Sequence, residues 1–330
     1  MKLPGVKTAK QFARWLRARF LGGALIISYH RISMVENDFY EVSVSPENFA
    51  EHLLELRKRI HPLRLSELVQ HLKDGSLPDK SVAITFDDGY ADNLYAAKPL
   101  LEKYEIPATV FVCTGYVGKE FWWDELERLV TCSQTDVRML HVQAGGKQFE
   151  WHETNVSPES GGPTLRHRFC RALYQFLLSL DIKDQDLAMG SIRSWSKVSS
   201  PGISTPRAMS EDELLRLVDG GLIELGAHTR HHSMLPQLSF ERQRQEIQSS
   251  KKDLERLLDK KIAGFSYPNG RATVYAKQLL REMDFTYACT SLHDLVRPGS
   301  DVYELTRFWQ QDVNGDRFAK RLNRWMSMKV

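Results

Sequence analysis

A chain of 330 residues, 42% of them hydrophobic, has enough apolar material for one large core or two small ones. Its 26% charged content and net charge of +3 exclude a disordered polyelectrolyte and give no electrostatic case for nucleic acid as a partner. No run approaches the ~20 apolar residues of a membrane span. Cys113, Cys132, Cys170 and Cys289 are far apart, with no CxxC pair; they read as reduced thiols, which fits a cytoplasmic location.

In chain order, Lys7, Lys10, Arg14, Arg17 and Arg19 alternate with Phe12, Trp15, Leu16 and Phe20. This predicts a basic amphipathic helix within residues 1–23. It either packs on the domain with a wet basic face or rests peripherally on the inner face of the membrane. The apolar run Phe20 to Ser28 is short, holds two glycines and lacks a small-residue cleavage site, so it is not read as a signal peptide. From there a single domain is expected over 24–330. Apolar, β-branched runs at 24–29, 82–86, 108–112, 223–227, 263–267, 286–290 and 303–308 read as buried strands. Helical patterns alternate with them: one opening at Pro46–Leu56, then Ala91–Lys103, Ser239–Leu258, Val274–Met283 and Gly315–Trp325. Seven strands alternating with helices predict a parallel α/β sheet, open or closed. Between about 131 and 210 the rhythm breaks. Polar stretches there flank one apolar helix, about Leu165–Leu180, which predicts an insertion.

Three strand ends carry the chemistry. Thr85-Phe86-Asp87-Asp88-Gly89-Tyr90 places adjacent carboxylates after an apolar strand, where parallel α/β folds bind ligands. Read alone, it is equally a solvated turn with capping aspartates. His228-Thr229-Arg230-His231-His232 follows another strand and sets two imidazoles at i,i+4, a metal-ligand spacing. Two neutral imidazoles and one carboxylate leave positions open for water, as a catalytic zinc site does. Phe265-Ser266-Tyr267-Pro268-Asn269-Gly270 predicts a tight turn, either a plain one or one that aims backbone N–H groups at an oxyanion.

The order TFDDGY, HTRHH, FSYPNG resembles the polysaccharide deacetylase family, carbohydrate esterase family four, over roughly 80–125 and 210–310, with a looser match at Ile27–Ile32. The resemblance implies a distorted (β/α) barrel of about seven parallel strands, with the helical insertion between the first and second motifs. It also implies one divalent metal, most often Zn2+, and hydrolysis of N-acetyl groups on an N-acetylated glycan. By the same resemblance Asp88, His228 and His232 hold the metal and Asp87 is the general base. Thr229 steadies the loop, His231 is a bystander, and Asn269, with Tyr267 beside it, lies at the oxyanion turn.

Two departures stand out. The family's third-motif arginine is replaced by Ser266, and Arg307, after Leu305-Thr306, is the alternative source of that charge. The family's late Leu-x-His acid and its usual fourth motif have no match. Ser28-Tyr29-His30-Arg31 follows the first strand instead, similar to the permuted order of the poly-N-acetylglucosamine deacetylase branch, so the general acid is placed on His30. Trp122-Trp123-Asp124 is either a sugar-stacking platform with Trp123 and Asp124 at the substrate, or core. Arg31 and Asp38 are further candidates for substrate contact. The competing readings are a cyclic amide or ureide hydrolase of related fold and an inactive glycan-binding protein. The glycan and its anchor are not legible; a cytoplasmic chain with a basic leading helix suits a lipid-linked precursor.

Overall fold

The computed structural model describes residues 23–35, 38–151, 164–198 and 206–328. The expected basic helix falls on residues outside these. Two compact units are formed. One contains the described residues up to Gly118 and from Ala208 onward; the other spans Lys119–Arg207.

The first unit is an eight-stranded sheet. Its strands are β1 (Leu25–Tyr29), β4 (His61–Pro62), β5 (Ser81–Phe86), β6 (Ala108–Val112), β9 (Ile223–Ala227), β10 (Gly264–Ser266), β11 (Tyr287–Cys289) and β12 (Phe308–Trp309). A small parallel pair, β2 (Arg31–Ile32) with β3 (Ser43–Val44), stands apart. The main order is β11-β10-β9-β6-β5-β1-β12, with β4 added on β5, and every pairing is parallel. β1, β5 and β6 are buried at every residue, which is why their sequences are continuous apolar runs rather than alternating ones.

The segment before β12 closes the ring. Leu305 bridges Cys289 of β11 in parallel, and three residues later Phe308 pairs with Ile27 of β1. This explains a difference from the sequence reading, which ran one strand through 303–308. The chain there crosses from one sheet edge to the other, so only Phe308–Trp309 is strand and Arg307 lies at the crossing. The barrel is therefore a distorted one, stapled rather than evenly closed.

Register lines up the strand ends. Tyr29 opposes Phe86, Phe86 opposes Val110, Val112 opposes Ala227, and Ala227 opposes Phe265. The residues that follow (His30, Asp87, Cys113, His228) thus emerge at one end of the sheet, as in other parallel barrels.

Helices fall near their expected places. Pro46–Arg59 starts at a Ser45 cap that accepts from the Asn48 N–H, and Phe240–Leu258 starts at a Ser239 cap that accepts from the Arg242 N–H. Residues 91–103 differ from the single helix expected: a wide π-turn, Asn93–Ala97, precedes the helix Lys98–Tyr104. Asn93 is held there by donating its side-chain amide to the His30 carbonyl, 2.9 Å away.

The second unit begins at Lys119, earlier than the expected 131. It holds three helices, Trp122–Cys132, Leu165–Leu178 and Ile182–Ser196, where one was read from the sequence, and an antiparallel hairpin of β7 (Val142–Ala144) and β8 (Lys147–Phe149). Its core gathers Phe149, Phe169 and Trp195. Among the described residues no helix is long and apolar enough to cross a membrane.

Candidate metal centre

Four of the ten non-glycine residues in the left-handed region among the described residues lie at the three strand ends: Asp88 (φ 71°), Thr229 (φ 60°), His232 (φ 55°) and Asn269 (φ 54°). Each such residue costs on the order of 1 kcal/mol, and for a β-branched residue such as Thr229 the conformation is an outlier that packing must enforce. After β5 the strain separates two neighbouring carboxylates. Asp88 turns toward the histidines and Asp87 toward Arg307. Gly89 (φ 86°) completes the turn, packed so closely on Val112 that a Cβ would lie 3.3 Å from its methyls.

One Asp88 oxygen, Oδ1, lies 3.6 Å from His228 Nε2 and 3.7 Å from His232 Nε2. These are the donors of a three-residue cluster whose ligand atoms all lie within 4.8 Å of one another. The separations are too long for hydrogen bonds and close to the roughly 3.4 Å expected between ligands bound to one ion at ~2.1 Å in tetrahedral geometry. The protonation pattern also fits an ion. His228 Nδ1 is 2.7 Å from the Ser266 carbonyl, which only accepts, so Nδ1 carries the proton and Nε2 presents a lone pair. Burial lowers the pKa of His228, against the opposing pull of Asp87 and the Ser266 bond, and burial lowers that of His232 strongly. Both imidazoles are neutral donors at neutral pH. Asp88, His228 and His232 therefore fit a divalent cation.

Asp87 is gripped at both oxygens. Arg307 Nη1 donates to Oδ1 and Nη2 to Oδ2, each at 2.7 Å. Burial pushes the Asp87 carboxyl up, but the adjacent guanidinium, with His228, its own hydrogen bonds and His30, holds it well below the usual carboxylate range. Arg307 is 1% exposed and all its groups are engaged: Nε donates to the Thr290 carbonyl, Nη1 also to Thr85 Oγ1 at 3.1 Å, and Nη2 also to Ser266 Oγ at 2.9 Å. The small side chain of Ser266 leaves room for the guanidinium to arrive from the crossing segment.

His30 follows β1 beside Asp87. Its Nδ1 is buried with no hydrogen-bond partner among the described residues. Burial lowers its pKa to about 4, with Asp87 raising and Arg307 and His228 lowering it. Thus His30, Asp87, Arg307, Asp88, His228 and His232 form one charge cluster.

The remaining expected residues divide. Asn269 sits in the tight turn, its side-chain amide directed at Met234 Sδ. Tyr267 is corrected as an oxyanion donor: its N–H donates to the Cys289 carbonyl and its hydroxyl to the Tyr303 carbonyl, both at 3.0 Å, because it knits β10 to β11 and the crossing segment. Trp123 and Asp124 begin the helix Trp122–Cys132 in the second unit, 6% and 7% exposed. Trp123 stacks on Phe121 and Trp122 on Tyr174, so neither indole offers the open ring face of a platform. Arg31 pairs with Asp92, and Asp38 accepts the Val42 and Ser43 N–H groups. His231, expected as a bystander, is 2.7 Å from Glu246. Sequence reasoning missed Glu246 and Cys113, whose thiol donates to the His228 carbonyl at 3.3 Å. Glu246 had only its place on the buried face of a charged helix to mark it.

Buried neutral imidazoles make stability pH-dependent. His30, His228 and His232, with His52, also lowered by burial to about 4, stay neutral when folded, whereas in the unfolded chain they titrate near 6.5. Between about pH 6.5 and 4 the unfolded state binds more protons, so stability is full above that window and is lost as pH falls through it. The Tm of the metal-free protein is expected to drop steadily from pH 7 to pH 5. A flat Tm over that range would mean these imidazoles charge freely in the fold.

A family model described as polysaccharide deacetylase matches residues 74–135 and 169–288, more than half of the chain. The poly-beta-1,6-N-acetyl-D-glucosamine N-deacetylase of Staphylococcus aureus is 32% identical over 226 residues, covering 64% of this chain and 74% of that protein. Among solved structures, the Streptococcus pyogenes deacetylase PplD superposes with a TM-score of 0.60 at 17% identity, covering 93% of this chain and 99% of that one. IcaB from Ammonifex degensii gives 0.60 at 20% identity, covering 93% and 98%. Both likenesses are of fold. With the strand-end motifs, the barrel and the sequence match in agreement, this chain belongs to the polysaccharide deacetylase family.

Proposed function

We propose that this hydrolase removes N-acetyl groups from the amino sugars of a glycan, with Zn2+ as its ion and a β-1,6-linked N-acetylglucosamine polymer as its substrate. The observation that carries the reading is the pair of adjacent carboxylates with separate partners: Asp88 facing two neutral imidazoles, Asp87 locked on Arg307. The polymer is suggested by the Staphylococcus aureus relative. Zinc suits two nitrogen donors and one carboxylate.

Asp88, His228 and His232 hold the ion, which when bound supplies Lewis-acid polarisation of the acetamide carbonyl and of the attacking water. Asp87 accepts a proton from that water as its oxygen attacks the carbonyl carbon. Arg307 fixes the carboxylate in place and keeps it ionised beside a second acid. The turn at Asn269 borders the developing oxyanion. The C–N bond breaks with proton transfer to the amine nitrogen, and His30 is assigned as donor. Its pKa of about 4 in the metal-free site leaves it neutral at rest. Negative charge developing nearby as the carbonyl is attacked raises its proton affinity, so His30 takes up a proton from solvent and passes it to the departing amine, and Asp87 then returns the proton it took from water to solvent, leaving both groups as they began.

The test is acetate release from poly-N-acetylglucosamine, N-acetylglucosamine oligomers and lipid-linked N-acetylated sugars, after chelation and after Zn2+ is restored. Acetate release that disappears with chelator and returns with zinc is expected. Ammonia release or ring opening of a cyclic amide, with no acetate from any sugar, overturns the reading.

A further inference from the structure

The histidine motif is five residues long, with three between its two ligands, and the peptide groups between those ligands are held from both sides. The residues just after β6 grip the carbonyls: Cys113 Sγ donates to the His228 oxygen at 3.3 Å, the Thr114 N–H to the Thr229 oxygen at 3.4 Å, and the Gly115 N–H to the Arg230 oxygen at 2.7 Å. A side chain at Gly115 is excluded, because its Cβ would lie 2.7 Å from that Arg230 oxygen and 2.9 Å from the His231 ring. On the other side stands one carboxylate, Glu246, buried on the helix Phe240–Leu258. Its Oε2 accepts the Arg230 N–H at 3.0 Å and the His231 N–H at 2.9 Å, and its Oε1 is 2.7 Å from His231 Nδ1.

Thr229 and His232 flank the gripped peptides with left-handed backbones. Left-handed backbones at non-glycine residues are costly, so removing one of the two sets of holds favours relaxation toward ordinary φ values, which would carry His232 away from Asp88. We propose that Glu246, acting through the Arg230 and His231 peptides and the His231 ring, is a positioning residue that sets the His228–His232 geometry and hence the affinity for the ion. His231 is its side-chain anchor, not a ligand. The inference rests on the metal reading above, and the experiment separates the two.

Metal-free protein is titrated with Co2+, followed by visible absorption, and Zn2+ is then measured by competition with Co2+. Glu246→Ala is expected to weaken both ions by roughly 10–100-fold, the scale for losing an outer-shell support, and to alter the Co2+ spectrum. Glu246→Gln is expected to recover most of that loss, since an amide oxygen still accepts both backbone N–H groups. His231→Ala is expected to fall between them. Glu255→Gln serves as control: Glu255 accepts the Ile262 N–H from the far end of the same helix, so its loss lowers Tm without moving the ion. Wild-type Co2+ affinity and spectrum in Glu246→Ala overturn the proposal. If that variant fails to fold, wild-type values in both Glu246→Gln and His231→Ala overturn it equally. Wild-type Co2+ binding in His228→Ala sinks the metal reading itself, and this inference with it.

Discussion

Asp87→Asn is expected to keep its metal and lose at least roughly a hundredfold in kcat, the scale of a lost general base. The two properties separate because the aspartates have different partners. Asp88 shares its Oδ1 with His228 and His232, whereas both Asp87 oxygens face Arg307. An amide at position 87 has nearly the same shape, so the turn at Asp88 and Gly89 stays and the ion stays with it. What goes is the basicity of the carboxylate, since an amide is far too weak a base to take the proton from water. One amide N–H₂ also meets an Arg307 N–H donor, so a modest fall in Tm accompanies the change. Metal content by elemental analysis and kcat on an N-acetylated oligomer check this together. Wild-type kcat removes Asp87 from the base role. Loss of metal along with activity means Asp87, not Asp88 alone, holds the ion.

Much of this arrangement was legible before the structure, for a physical reason. Buried parallel strands are short, continuous and β-branched, so β5 and β9 announce where they end, and the next residues must stand at the carboxyl end of the sheet. That logic puts Asp87 and His228 on one face without any knowledge of register. It fails where burial is not local in sequence. Trp122 and Trp123 look the same whether they stack on a sugar or on Phe121 and Tyr174, because the stacking partner of Trp122 lies some fifty residues away. The crossing at 303–308 fails for a related reason. Its composition is that of a strand, yet its hydrogen bonds go to β11 at one end and β1 at the other, and only closure of the ring dictates that. Glu246 illustrates the third failure. One acid among the charged residues of a helix has no local mark, and its partners, the N–H groups of Arg230 and His231, carry no side-chain signature at all.

The other large effect belongs to Arg307. Arg307→Gln is expected to cost about 3–5 kcal/mol in urea unfolding, the scale for leaving one member of a buried pair without its partner. The guanidinium answers the Asp87 carboxylate, the Thr290 carbonyl, and the hydroxyls of Thr85 and Ser266, and a glutamine amide reaches at most two of these. The pH dependence carries the more specific signature. In the wild type the guanidinium outweighs burial and keeps the Asp87 carboxyl ionised throughout the working range. Any acid limb in kcat/KM therefore comes from other groups, such as ligand histidines that protonate and release the ion. Without Arg307, burial acts unopposed and raises the Asp87 pKa, so the acid limb of kcat/KM moves to higher pH. The sign extends to stability. A depressed carboxyl contributes stability above its unfolded pKa and loses it as pH falls through the folded one; a raised carboxyl forfeits that contribution already at neutral pH. Pairing the change with Asp87→Asn removes the stranded charge, so the double variant is expected to be more stable than Arg307→Gln alone while remaining inactive. An acid limb that stays in place in Arg307→Gln means the guanidinium does not hold Asp87 ionised. Equal stabilities of the single and double variants mean no buried charge was stranded.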